Sequence, residues 1–218
     1  SREAGDNFAT AWAQAVLGLV ARAKGDLERS EGLLTESLTR LRALGHQWAS
    51  AIVLINLGLL ARDRGNLDRA VEHLEEALGI LRQLGDKSYI SYTLLNLGTI
   101  ASARHDYERA GAIYRECLGL RKELQERRGI VTCLAALGCT ASGLRDYRKA
   151  AVLFGAFEAQ REATGASIPA IFRNEYERQV KAATAALGEA AFAEAWAIGR
   201  AMTMDQAVDN ALKEPSRV

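Results

Sequence analysis

Metal or thiol chemistry in this sequence would have to come from His46, His73 and His105 and from Cys117, Cys133 and Cys139. A zinc site needs such residues to converge with carboxylates or further thiolates. The histidines stand 27 and 32 positions apart on different parts of successive segments, which points to surface or interhelix roles. Cys133 and Cys139 are six apart and so face different sides of one helix, while Cys117 and Cys133 read as small packing residues. Three cysteines without paired spacing argue for reduced thiols, which makes the cytoplasm the expected location. The nearest approach to a phosphate-binding Gly-Lys-Ser/Thr loop is Lys24-Gly25, with the order reversed. No acid, base and nucleophile converge as an enzyme requires. The expectation is a non-enzymatic chain with no catalytic residue, no cofactor and no metal.

What remains is binding chemistry, and the elements that would position it recur. Leu17-Gly18, Leu57-Gly58, Leu97-Gly98 and Leu137-Gly138 follow one another at intervals of 40 residues. Twelve positions after each glycine stands a small residue, Ser30, Ala70, Ala110 or Ala150, preceded by Asp26-Leu27, Asn66-Leu67, Asp106-Tyr107 or Asp146-Tyr147. Self-similarity at such a period marks a stack of supersecondary units. Leu54, Leu57, Gly58 and Ala61 share one helical face, and Leu67, Ala70, Val71, Leu74, Leu78 and Leu81 share another, so each unit is two amphipathic helices. Gly25-Asp26 and Gly65-Asn66 end one helix and cap the next, whereas His105-Asp106 and Arg145-Asp146 keep only the cap. Gly58 and Ala70 lack bulk where two backbones must approach; Leu74, Tyr114 and Phe154 fill the wider gap beside them.

The totals agree. The 218 residues are 49% hydrophobic and 25% charged, an ordinary globular balance, and the two prolines, Pro169 and Pro215, leave long stretches open to helix. With 28 basic against 27 acidic residues, interspersed, the chain shows no basic stripe for nucleic acid. The longest apolar run, Ile52 to Leu60, is broken by Asn56 and is far too short to span a membrane.

This pattern resembles the tetratricopeptide repeat, with Leu57, Gly58, Ala70, Leu74 and Ala77 at the signature places of the best unit. Leu17, Gly18, Ser30, Leu34 and Ser37 hold them in the first, and Leu97, Gly98, Ala110, Tyr114 and Cys117 in the third. In the fourth, Leu137, Gly138, Ala150 and Phe154 fit, but Phe157 stands where a small residue belongs. The usual repeat is about 34 residues, so longer helices are expected here, and Arg42, Arg82, Lys122 and Glu162 replace the closing proline. The resemblance implies an all-α, right-handed α-solenoid of helical hairpins over 1–163, at about 8–44, 46–84, 87–125 and 127–163, and a helical C-terminal capping segment over 164–218.

The register breaks after Thr164. Pro169 is expected in the first turn of a helix bearing Phe172, Tyr176, Val180, Ala183 and Leu187. Gly188 punctuates it, and helices carrying Phe192, Ala195, Trp196 and Gly199, then Ala207, Val208 and Leu212, should follow, the last behind a Thr203/Gln206 capping box. The run Ala151 to Glu158, with Arg161, Gly165, Pro169, Tyr176-Glu177 and Ala195 to Val208, is similar to the end of the repeat region in bacterial LuxR-type and AfsR-type signal-transduction ATPases. That resemblance implies the sensor or interaction arm of a transcriptional or signalling regulator. The other reading is a constitutive protein–protein scaffold.

In tetratricopeptide repeats the first helix of each pair lines the concave wall. Carried over, this implies a ligand-facing set of Trp12, Leu19 and Arg22, then Ile52, Ile55, Asn56, Leu59 and Arg62, then Tyr92, Leu95, Asn96 and Thr99, and finally Cys139. Asn56 and Asn96 occupy equivalent places, and an amide suits the backbone of an extended peptide or, equally, a neighbouring helix end. Family members that grip a C-terminal carboxylate use Lys, Arg and Asn where Ala15, Leu19, Asn56, Tyr92 and Asn96 stand, so binding of chaperone tails is not implied. Arg22 and Arg62, one repeat apart, suit an acidic partner. The partner expected is a protein or peptide, with a small-molecule effector as the other ligand class, and neither nucleic acid nor membrane.

Overall fold

The structure, a computed structural model, describes residues 2–167 and 170–213, with side chains over 6–167 and 172–213. These residues form eleven α-helices and no strand. They are α1 (Arg2–Ala23), α2 (Leu27–Ala43), α3 (Gln47–Asp63), α4 (Leu67–Leu84), α5 (Lys87–Ala103), α6 (Tyr107–Glu123), α7 (Arg127–Gly143), α8 (Tyr147–Thr164), α9 (Ala170–Leu187), α10 (Glu189–Arg200) and α11 (Met204–Leu212). The fold class is the all-α array of repeated helices that the sequence leads one to expect. No helix among the described residues is long and apolar enough to cross a membrane.

At the backbone level the 40-residue interval divides in two. Left-handed residues recur every 20 positions, at Gly25, Gly45, Gly65, Gly85, His105, Gln125, Arg145 and Gly165. The amide that follows reaches back across the helix end: Asp26 N donates to the Ala21 carbonyl at 3.0 Å, Asn66 N to Ala61 at 2.9 Å and Glu126 N to Arg121 at 3.0 Å. This closure absorbs carbonyls that the last turn leaves without intrahelical donors. His105, Gln125 and Arg145 adopt it with φ of 60°, 55° and 65° although each carries a Cβ, at a cost of about 1–2 kcal/mol apiece. Asp26, Asn66, Asp106 and Asp146 each accept the amide three residues on, at 3.1–3.2 Å, capping α2, α4, α6 and α8. Helices of 17 or 18 residues joined by such short turns account for a repeat longer than 34.

Hairpin packing follows from one missing side chain. A Cβ on Gly58 would lie 2.8 Å from Leu74 Cγ and 3.2 Å from the Ala70 carbonyl oxygen; on Gly18 it would lie 2.8 Å from Leu34 Cγ. On Gly138 it would lie 2.6 Å from the Phe154 ring. Leu34, Leu74 and Phe154 are therefore knobs seated on glycine, and all three are fully buried. Ala70, also fully buried, sits under the same contact. Ala70→Leu should lose about 1–3 kcal/mol by overpacking, read as a lower urea midpoint at constant slope; an unmoved midpoint would remove Ala70 from the contact.

Two compact units, Ser1–Ile100 and Ala101–Val218, divide the chain. In the first, α1 pairs with α2 and α3 with α4, and α2 packs on α3. Ser37 Oγ ties α2 to α1 by donating to the Ala11 carbonyl at 2.7 Å. Leu57 of α3 is 4% exposed, whereas Leu17 on α1, at the same repeat place, is 52% exposed beside Val16 and Val20. The difference is positional: α3 has α1 and α2 against it, and no described helix precedes α1.

In the second unit α6 and α8 pack on α7, α9 lies against both α7 and α8, α10 crosses α8, and α11 touches α6, α7 and α8. Phe172, Tyr176 and Ala183 of the expected α9 stripe are buried, with Val180 and Leu187 half-buried. Pro169 lies outside the described residues. Tyr176 meets the edges of Phe154 and Phe157 at centroid distances of 5.2 and 5.1 Å and donates its hydroxyl to Glu158 Oε1 at 2.9 Å. Phe157 departs from the small residue of the repeat because its neighbour is this tyrosine. The Thr203/Gln206 capping box opens α11 as expected.

Candidate functional site

In the first unit, α1, α3 and α5 present one row of side chains. At the end where α3 and α5 begin the row is aromatic. Phe8 lies 4.3 Å from the His46 ring and 6.3 Å from Trp12, Trp12 lies 5.8 Å from Trp48, and Trp48 meets Tyr89 edge-on at 5.6 Å. Asp86 holds this row in place: its Oδ2 accepts from the Trp48 indole at 3.0 Å and its Oδ1 from the Tyr89 amide at 3.1 Å. Trp48 is 40% exposed and Tyr92, one turn along α5 from Tyr89, 42% exposed. Rings so placed offer large apolar area with few torsions to freeze, the composition of a binding anchor.

At the other end the row is ionic. Asp63 receives Arg22 Nε at 2.7 Å and Arg62 Nη2 at 3.2 Å, so two guanidinium groups share one carboxylate. Arg62 Nη1 also donates to Asn96 Oδ1 at 3.1 Å, joining α1, α3 and α5. One positive charge is in excess, with guanidinium donors left for a second anion.

Trp12, Arg22, Ile52, Arg62, Leu95 and Thr99 are half-buried along this row, and Leu19 and Tyr92 are exposed. Asn56 Nδ2 donates to the Ile52 carbonyl at 2.8 Å and Asn96 Nδ2 to the Tyr92 carbonyl at 2.9 Å, so both amides bond their own helices. Asn96 is buried, its oxygen already taken by Arg62. Three residues of the expected set are corrected. Ile55 and Leu59 point into the packing of α3, which is covered around most of its circumference, and are buried. Cys139 is buried as well, because α9 packs over α7; burial pushes its thiol far above the ordinary value, with Glu175 and Arg178 as its charged neighbours.

Phe8, His46, Trp48 and Tyr89 were not in the expected set. The signal was present, since Phe8 and Trp48 are themselves 40 apart, one turn before Trp12 and Ile52. The three histidines do not converge: His46 stacks on Phe8, His105 Nδ1 bonds Tyr107 Oη at 2.9 Å, and His73 is half-buried on α4. Among the described residues no three His, Cys, Asp or Glu side chains are grouped to hold a metal ion.

Residues 8–83 match the tetratricopeptide-repeat family, and so do residues 93–128. No curated protein matches. Among solved structures the chain is similar to one titled "Crystal structure of BtubC (BKLC) from P. vanneervenii", with a TM-score of 0.67 and 18% identity over 73% of this chain. The chain spans 66% of the length of that structure.

Proposed function

Taking as premise that the chain carries tetratricopeptide repeats, which are protein–protein interaction modules, we propose that its first unit binds an extended protein segment laid across α1, α3 and α5. The aromatic row that ends in two arginines sharing Asp63 carries this reading. Trp48 and Tyr92 take apolar side chains of the segment, and Arg22 with Arg62 takes a carboxylate. On the same reading, 1–163 is four hairpins and 164–218 a helical capping segment, with the binding row on the hairpins of the first unit. The runs Ala151 to Glu158 and Ala195 to Val208, similar to the signal-transduction ATPases, favour an arm of a bacterial regulator, where a bound protein or small effector shifts an equilibrium between assemblies it prefers unequally.

The test uses short peptides with an aromatic or branched residue and a downstream acidic residue, titrated against the intrinsic tryptophan fluorescence of the chain. Trp48→Ala and Tyr92→Ala should each weaken binding roughly 30-fold, the size of an interface anchor, with helix content unchanged by circular dichroism. Arg22→Gln should remove the preference for the acidic peptide. Equal affinity in all three variants overturns the site. Binding by the site with no change in assembly favours the constitutive scaffold over the regulator.

A further inference from the structure

Where α6 meets α7, the chain departs from its own repeat at several positions together. Cys117 stands where Ser37 and Ala77 stand, Cys133 where Val53 and Thr93 stand, and Arg121 where Leu41 and Leu81 stand. Leu41 and Leu81 are fully buried, as hairpin packing requires, and Arg121 is only 6% exposed in that same setting. Its Nη1 donates to the Gly129 carbonyl at 2.8 Å, while its Nε is buried without a hydrogen-bond partner. Gly129 makes the room: a Cβ there would lie 2.8 Å from Arg121 Cδ and 2.9 Å from Nη1. Replacing a core leucine by a guanidinium with an unused donor costs stability, so packing does not account for it.

The two sulfurs beside it are 3.5 Å apart, fully buried and not linked. Cys133 donates its S–H to Cys117 Sγ. That bond, helped by the Arg121 charge and against burial, lowers the Cys117 thiol below its ordinary value; the same bond and burial push Cys133 well above its own, although Arg121 lowers that sulfur as well. The pair is thus asymmetric: Cys117 gives up its proton more readily than Cys133. Cys139 has no part in it, since its charged neighbours are Glu175 and Arg178 of α9.

We propose that Cys117 and Cys133 are a redox-active dithiol that a peroxide closes to a disulfide across α6 and α7, with Arg121 as the positioning residue for the Cys117 thiolate. The Cys117 thiolate attacks one oxygen of hydrogen peroxide, the O–O bond breaks, and hydroxide leaves, giving the sulfenic acid. Cys133 then attacks that sulfur, its proton leaves with the displaced hydroxide as water, and the S–S bond forms. Two thiols and one peroxide become one disulfide and two waters. A dithiol reductant reverses it. Both sulfurs being buried, peroxide reaches them through local opening at the α6–α7 contact, and the rate follows that opening.

Peroxide treatment of the folded chain, then alkylation in denaturant and peptide mapping, should yield a Cys117–Cys133 linked peptide lighter by two hydrogens. Dithiothreitol should reverse it, and Cys139 should remain alkylatable. Closing a short loop should raise the thermal midpoint by about 5–10 °C. Arg121→Leu, which restores the residue of the earlier repeats and so should fold, should slow linkage about tenfold. Cys117→Ala and Cys133→Val, likewise borrowed from earlier repeats, should abolish it. The proposal is overturned if both sulfurs stay alkylatable, if each oxidises separately to a sulfinic acid, if the oxidised midpoint falls, or if Arg121→Leu links as fast as the parent.

Discussion

Gly199→Ala is expected to lose about 3 kcal/mol or more, a large penalty for one methyl group. The reason is the α8–α10 crossing. A Cβ on Gly199 would overlap the Val152 carbonyl oxygen and lie 2.8 Å from Ala156 N; one on Gly155 would overlap the Trp196 carbonyl oxygen and lie 2.9 Å from its carbon. These obstacles are backbone atoms of the facing helix, so no rotamer change relieves them. Ala151, Ala156 and Ala195 around the crossing are fully buried, which is what lets the two backbones come so near. Parting the helices would also loosen Leu187, Phe192 and Met202 from the Ala151–Val152–Ala195 cluster. It would strain the bond that Gln160 Nε2 donates to the Met202 carbonyl at 2.9 Å. Gly79→Ala is the matched control. Gly79 lies within α4 with nothing within 4 Å of a added Cβ, so the same methyl there should stabilise by about 0.5–1 kcal/mol. Urea unfolding of the two variants should therefore move in opposite directions; a neutral Gly199→Ala would mean that α8 and α10 stand further apart.

The runs that carry the regulator resemblance contain Gly155 and Gly199, so part of what makes that segment distinctive is this close crossing. Periodicity made the hairpins legible because Gly18, Gly58 and Gly138 of the Leu-Gly pairs each meet the same kind of partner, a bulky residue of the following helix. The turns were less legible. His105 and Arg145 read as having lost the left-handed residue, yet the backbone keeps it, since the reaching hydrogen bonds and the packing of both helices outweigh the strain at a single residue. The row of side chains along α1, α3 and α5 was legible in part. Trp12, Ile52, Arg62 and Tyr92 lie along it, but α3 is apolar on nearly every side, and an all-round apolar helix gives no stripe that separates Ile55 and Leu59, which pack inward, from Ile52. Cys139 failed for another reason: the helix that covers it belongs to the non-periodic tail, which no repeat rule places. Arg121 was visible all along in the series Leu41, Leu81, Arg121, Arg161, but only burial separates it from Arg161, which is partly exposed and pairs with Glu158.

Phe154→Ala should lose about 3–5 kcal/mol, the range for emptying an aromatic site in a core. The ring is fully buried between Gly138, which has no side chain to move into the space, and Tyr176, which is held by its hydrogen bond to Glu158. Neither wall can close the hole. Phe154→Leu, which copies Leu34 and Leu74 on Gly18 and Gly58, should lose far less. The geometry also fixes the sign of a coupling. Gly138→Ala alone drives a methyl into the ring, whereas with Phe154→Ala that methyl enters the vacated space. The double variant should therefore be more stable than the sum of the two single losses by about 1 kcal/mol or more, within the range for residues in contact. A double-mutant cycle by urea denaturation measures this directly, and strict additivity would mean that Gly138 and Phe154 do not share one volume.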